Sequence, residues 1–288
     1  MESQVGVETS GQPGPPTPRS GRNMPVASAV GLGLLGLVAG SLFWRHEVFV
    51  LLVVLAVGGA VWELSQAFAR RGLHLPLPPL LVGTVGILVS AYTAGEEALL
   101  VSFMLTAGGV VVWRVLDDNE PAAFKDVVAG CFAAAYLPFL AGFVILMLDM
   151  PDGPARAFLF VLLVVASDVG GLAAGVMFGR HPLAPSVSPK KTWEGLAGSV
   201  VLACAIGAVG WVVAFDQPAL TGMLLGLVAV VAATLGDLAE SLLKRDLALK
   251  DMGSLLPGHG GLLDRLDSIV MAAPVVYLVM LVTLPVGD

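Results

Sequence analysis

The chain has 288 residues, 57% of them apolar and 13% charged, with a mean hydropathy of +0.88. That balance excludes a water-soluble globule and predicts a polytopic membrane protein. The formal net charge of −7 offers no basic surface for nucleic acid, and two cysteines, Cys131 and Cys204, both inside apolar stretches, exclude a disulfide framework or a zinc cluster.

Residues 1–23 are rich in Pro, Gly, Ser and Thr and have no apolar face, which predicts a disordered cytoplasmic tail. Apolar stretches of the length needed to cross about 30 Å of hydrocarbon follow at about 25–44, 48–66, 76–93, 98–114, 126–149, 157–178, 195–215, 219–240 and 267–286. An all-α fold of about nine transmembrane helices is therefore expected. The first stretch is too long for a signal-peptide core and reads as a retained helix.

Orientation follows from the 15 Lys and Arg residues. With the N-terminus inside, only Arg45 and Arg156 fall outside, and thirteen fall inside. Setting aside Arg180, Lys190, Lys191, Lys244, Arg245, Lys250 and Arg265, which belong to the polar clusters below, still leaves six against two. The expected topology is N-terminus in, C-terminus out.

Glycines spaced by four, Gly36 and Gly40, Gly171, Gly175 and Gly179, and Gly222 and Gly226, are read as helix-packing positions. Trp44, Trp62 and Trp113 near span ends are read as interfacial anchors. The first five spans are read as carrying almost no intramembrane polar residue, whereas the last four surround three polar clusters. The expected organisation is a tail (1–23), N-terminal helices that pack (24–156) and a C-terminal catalytic part (157–288).

The first cluster is Ser167 and Asp168, near the middle of the sixth span. A carboxylate there costs at least about 2.5–3.5 kcal/mol on insertion scales, so Asp168 is either neutralised or paired between helices, or lines a polar cavity. The second is the loop 179–195, GRHPLAPSVSPKKTWEG, in which three prolines favour an extended chain and Ser188, Lys190 and Lys191 supply donors. It suits phosphate binding, or else contact with anionic headgroups.

The third cluster runs from Ser241 to Asp267, approached through Gly236 and Asp237. If the eighth helix continues, Asp237, Ser241 and Lys244 share one face, and Glu240 joins that face or pairs with Lys244. Asp264 and Asp267 sit three apart at the start of the ninth helix, favourably placed at its N-terminus. Asp237, Asp264 and Asp267 can then converge on a hard divalent cation such as Mg²⁺, which prefers oxygen ligands and substrate phosphates. The cations Lys244, Arg245, Lys250 and Arg265 would repel one another unless a polyphosphate lies between them, as in nucleotidyl transfer. His259, framed by Gly258, Gly260 and Gly261, is either a loop residue or a direct phosphate contact.

These residues carry a resemblance. Ser241, Lys244, Arg245, Lys250, Asp251, Leu256, Pro257, His259, Gly260, Gly261, Asp264, Arg265 and Asp267, with the upstream run from Ser188 to Gly195, resemble the signature of the phosphatidate cytidylyltransferase (CDP-diacylglycerol synthase) family. The motifs cover roughly residues 160–270, and Leu172 departs from the pattern where many members have tyrosine.

The resemblance implies that phosphatidate and CTP give CDP-diacylglycerol and pyrophosphate, with Mg²⁺ required and K⁺ beside it. It also implies a homodimer in the inner (plasma) membrane with its site facing the cytoplasm. Asp237 and Asp264 are expected to hold the metal and Asp267 to support them. Lys244, Arg245, Lys250 and Arg265 would bind the CTP phosphates or pyrophosphate, and Ser188, Lys190 and Lys191 the lipid phosphate or triphosphate. Ser241 would donate to a phosphate or ion ligand, and Asp168 would wall the cavity. Two rivals fit less well. A CDP-alcohol phosphotransferase resembles a pattern with aspartates four apart and an Asp-Gly-x-x-Ala-Arg core, absent here, and a transporter commonly shows paired halves.

Overall fold

The computed structural model describes residues 24–117, 123–249, 251–253 and 261–284. Seven of its helices are long and apolar enough to cross a membrane. The elements in chain order are α1 (Met24–Trp44), α2 (His46–Ala69), α3 (Leu77–Leu116), α4 (Ala123–Ala134), a π-helical turn (Ala135–Phe139), α5 (Leu140–Asp149) and α6 (Gly153–Phe178), followed by β1 (Pro182–Ala184), β2 (Ser188–Thr192), α7 (Trp193–Phe215), α8 (Ala219–Asp246) and α9 (Leu263–Thr283). The expected helical architecture is present, with a small β-ribbon added.

Two of the expected spans are joined in α3. A straight helix of its 40 residues would run about 60 Å, twice a hydrocarbon core. Gly95, at φ 74° and ψ −155°, adopts a backbone that side chains forbid, and the chain reverses there. Ser90 Oγ consequently meets Ser102 Oγ at 2.6 Å, and Gly83 lies against Thr106. Residues 77–94 and 96–116 are the two arms of a hairpin.

Between α4 and α5, Pro138 lacks the N–H that an α-helix needs, and the π turn absorbs the defect without breaking the rod. In the C-terminal half the helices approach almost backbone to backbone. A Cβ on Gly170 would lie 2.5 Å from Gly198 O, and one on Gly226 would lie 2.5 Å from Ala203 O. Gly222 abuts Gly207, and Gly171 and Gly175 face Ser199 and Thr192. These packing glycines behave as expected. At Gly36 and Gly40 an added Cβ would meet nothing within 4 Å among the described residues; among those residues α1 packs substantially on α2 and α6 alone. Both cysteines are free.

The segment expected as an extended loop is an antiparallel hairpin, Pro182 pairing with Thr192 and Ala184 with Ser188. Val187 N–H donates to Ala184 O at 3.1 Å, closing a turn with Pro185 at its second position, where the fixed φ of proline fits.

Arg156, expected on the outer side of the membrane, is 2% exposed. Its guanidinium donates to Pro151 O at 2.6 Å and Met280 O at 3.3 Å and stands 5.9 Å from the Phe215 ring centroid. It ties the ends of α5, α7 and α9 at the end of the bundle opposite the polar clusters.

Candidate active site

The three polar clusters meet at one end of the bundle. α8 continues through Asp246, so Asp237, Ser241 and Lys244 do share one face. Gly236 lets α9 come close: a Cβ there would lie 2.6 Å from Asp267 O and 3.1 Å from Ser268 Cα. That contact sets the first turns of α9 beside the last turns of α8.

Lys244 is the centre of the resulting network. Its ammonium is 2.5 Å from Glu240 Oε2 and 2.6 Å from Asp264 Oδ1, so Glu240 takes the pairing role of its two alternatives. The other Asp264 oxygen accepts from Gly261 N–H at 2.8 Å. Asp267 is 5% exposed, accepts from Ser268 N–H at 2.7 Å, and lies within electrostatic reach of Asp237 and Glu240. Two lysines thus neutralise part of a cluster of four carboxylates, because Lys191 from the β-hairpin pairs with Asp237.

The hairpin is held in place by its own residues. Glu194 accepts from the N–H groups of Arg180 and His181 at 3.1 and 3.2 Å and pairs with His181 Nδ1 at 2.6 Å. Thr192 caps α7 by accepting from Gly195 N–H at 3.1 Å. Arg245 Nε donates to Val187 O at 2.7 Å, which docks the hairpin tip on the end of α8. Lys190 is exposed and Ser188 half-buried on the same strand.

Asp168 is exposed and within electrostatic reach of Asp237, Lys191 and Arg265. Ser167 is structural, its carbonyl accepting from Ser199 Oγ at 2.5 Å. Lys250 and His259, with Leu256, Pro257, Gly258 and Gly260, lie outside the described residues.

Two residues of the nominally inert N-terminal half also border the site. Glu63 in α2 is 1% exposed, and its Oε2 accepts from Leu263 N–H at 2.9 Å. Tyr136, on the π turn, is 8% exposed and within electrostatic reach of Asp267, Glu240 and Asp237. Its hydroxyl has no hydrogen-bond partner among the described residues. A carboxylate inside an otherwise apolar stretch was the available signal for Glu63; Tyr136 gives no comparable signal, because a tyrosine in a span suits an ordinary packing role.

Among the described residues no three carboxylate, histidine or cysteine side chains are already gathered for a metal. The donor set nonetheless fits a hard cation. It is all carboxylate oxygen, and Glu240 Oε1 is buried with no hydrogen-bond partner among the described residues.

Comparison with known proteins gives the same direction. Residues 26–283 match the model of the cytidylyltransferase family. A phosphatidate cytidylyltransferase of Mycobacterium leprae is 40% identical over 93% of this chain and 91% of its own length. The protein of that name from Mycobacterium tuberculosis is 37% identical over 93% and 86%, and that from Haemophilus influenzae 33% over 74% and 83%. On a match of nearly the whole chain, through both the motifs and the apolar helices that carry them, this protein belongs to the cytidylyltransferase family.

Proposed function

We propose that the chain transfers CMP from CTP to phosphatidate in the membrane, giving CDP-diacylglycerol and pyrophosphate. The observation that carries this is the convergence of Lys191 with Asp237, and of Lys244 with Asp264, from a hairpin and two helix ends. Separate anionic and cationic side chains at one bundle end suit a reaction between two polyanions.

A phosphatidate oxygen attacks the α-phosphorus of CTP, the new O–P bond forms, and the bond from the α-phosphorus to the bridging oxygen breaks as pyrophosphate leaves. The attacking phosphate is already ionised at neutral pH, so no general base is needed. Lys191, Lys190 and Ser188 hold one phosphate at the hairpin. Lys244, Arg245 and Arg265 screen the triphosphate and the leaving pyrophosphate, with Lys250 and His259 assigned beside them by their place in the motif. Ser241, on the face shared with Asp237 and Lys244, donates to a phosphate or an ion ligand. Asp237 and Asp264, supported by Asp267, would hold Mg²⁺, and their lysines would then turn to the substrate phosphates. When bound, the metal supplies positive charge to the phosphate oxygens. K⁺ would be a second ion of the site.

The two arms of α3, with α1, α2, the α4 to α5 rod, α6, α7, α8 and α9, make nine crossings in this reading. The N-terminus and the site then face the cytoplasm, and Arg156 lies at the outer end. We assign the chain to the plasma membrane as a homodimer.

The test is incubation of the detergent-purified protein with phosphatidate, labelled CTP, Mg²⁺ and K⁺, with Asp264→Asn and EDTA as controls. A labelled lipid lost in both controls is expected. No labelled lipid from the folded protein would overturn the reading.

A further inference from the structure

The proposed reaction uses no residue of α2, yet α2 places a carboxylate against the beginning of α9. Glu63 is 1% exposed, and an ionisable group so deeply buried in an apolar helix calls for a partner and a reason. Its Oε2 accepts from the amide of Leu263, the first residue of α9, at 2.9 Å. That amide is one of the helix N-terminal donors that α9 itself cannot satisfy.

The backbone at Gly253 and Gly261 is shaped to this carboxyl group. Gly253 packs directly against it, with no space for a side chain, and a Cβ on Gly261 would lie 2.8 Å from Glu63 Oε2 and 2.9 Å from Asp264 Oδ2. Asp264 grips the same two places from the other side. Its Oδ2 accepts from Gly261 N–H at 2.8 Å and its Oδ1 from Met252 N–H at 3.4 Å, while Oδ1 also faces Lys244. The backbone at 252–253 and 261–263 is therefore held between two carboxyl groups, one from each half of the molecule.

We infer that Glu63 is a positioning residue of the active site, fixing the start of α9 and the 252–253 backbone so that the Asp264 carboxylate is aimed at Lys244. Glu63 touches neither substrate nor reacting atoms; it acts through Asp264. Removing the acceptor frees the Leu263 amide and loosens the backbone to which Asp264 is bonded. The loss is felt in turnover, where charge alignment matters, more than in lipid affinity. Glutamine keeps an oxygen acceptor of the same reach, so Glu63→Gln retains the anchor and Glu63→Met does not.

The functional half of this inference rests on the cytidylyltransferase reading; the anchoring half does not. The experiment is hydrogen–deuterium exchange of the full-length protein in detergent, without substrate, for wild type, Glu63→Met and Glu63→Gln. It is paired with kcat and KM for CTP and phosphatidate on the same samples. Loss of the bond from Leu263 N–H to Glu63 predicts about tenfold faster exchange in peptides spanning 252–265 for Glu63→Met, with α6 and α7 unchanged. A comparable fall in kcat is expected, with the phosphatidate KM within about threefold of wild type, and Glu63→Gln should restore both. Unchanged exchange at 252–265, acceleration spread evenly over all helices, or wild-type kcat in Glu63→Met overturns the inference. If wild-type protein makes no labelled lipid, the functional reading fails and the exchange data alone decide the anchor.

Discussion

The two halves of the bundle are assembled by different means. From α6 to α9 the helices touch through glycine, Gly170 on Gly198, Gly207 on Gly222, Gly226 on Ala203 and Gly236 on Asp267. From α2 to α5 the contacts are made mainly by large side chains, with Phe68, Phe132 and Tyr136 forming one chain of rings and Phe103, Phe139 and Phe143 another. Backbone contact fixes the separation and rotation of two helices tightly, whereas aromatic side chains can repack. The half that must hold charges in register uses the stiffer contact. The softer half contributes Glu63 and Tyr136, which reach the site as single side chains.

That contrast can be broken in order of expected effect. Asp264→Asn and Asp237→Asn should each lower labelled-lipid formation by about 10²–10³-fold, the range for removing a preorganised electrostatic group. Activity within threefold of wild type for either would remove the paired-carboxylate site. Lys244→Met should cost about as much in turnover, and it also leaves the buried Glu240 and the half-buried Asp264 without their cation. Removing one partner of a buried pair costs about 3–5 kcal/mol, so its thermal midpoint in detergent should fall as well.

Gly236→Val probes the stiff contact directly. The added side chain meets Asp267 O and Ser268 Cα, and overpacking of this kind costs about 1–3 kcal/mol. A lower melting temperature together with lost turnover is expected; wild-type values for both would mean that α8 and α9 can separate freely without harm. Tyr136→Phe should move least among site variants. Its hydroxyl makes no hydrogen bond among the described residues, so its removal relieves a desolvated polar group rather than breaking a contact. Its melting temperature should match or exceed wild type, and a clear decrease would reveal a hidden partner. Gly36→Val, where an added Cβ meets nothing within 4 Å among the described residues, should leave melting of the isolated chain unchanged. Destabilisation confined to concentrated samples would show that α1 packs on a second copy.

Composition and the lengths of the apolar runs were sufficient to identify a helical membrane protein, because the hydrocarbon thickness leaves few other solutions. The motif at 241–267 and the run at 188–195 were sufficient for the family, since phosphate chemistry needs cations and carboxylates at particular places in the chain. Helical periodicity also put Asp237, Ser241 and Lys244 on one face. What only the tertiary structure decided is the relation between segments distant in sequence. The pairing of Lys191 with Asp237 spans 46 residues and the bond from Leu263 to Glu63 spans 200. No local pattern encodes either, because each depends on how helices rotate and approach once their glycines and rings have packed. The reversal at Gly95 and the π turn at Pro138 belong to the same class: the residue permits the backbone, and the neighbours choose it.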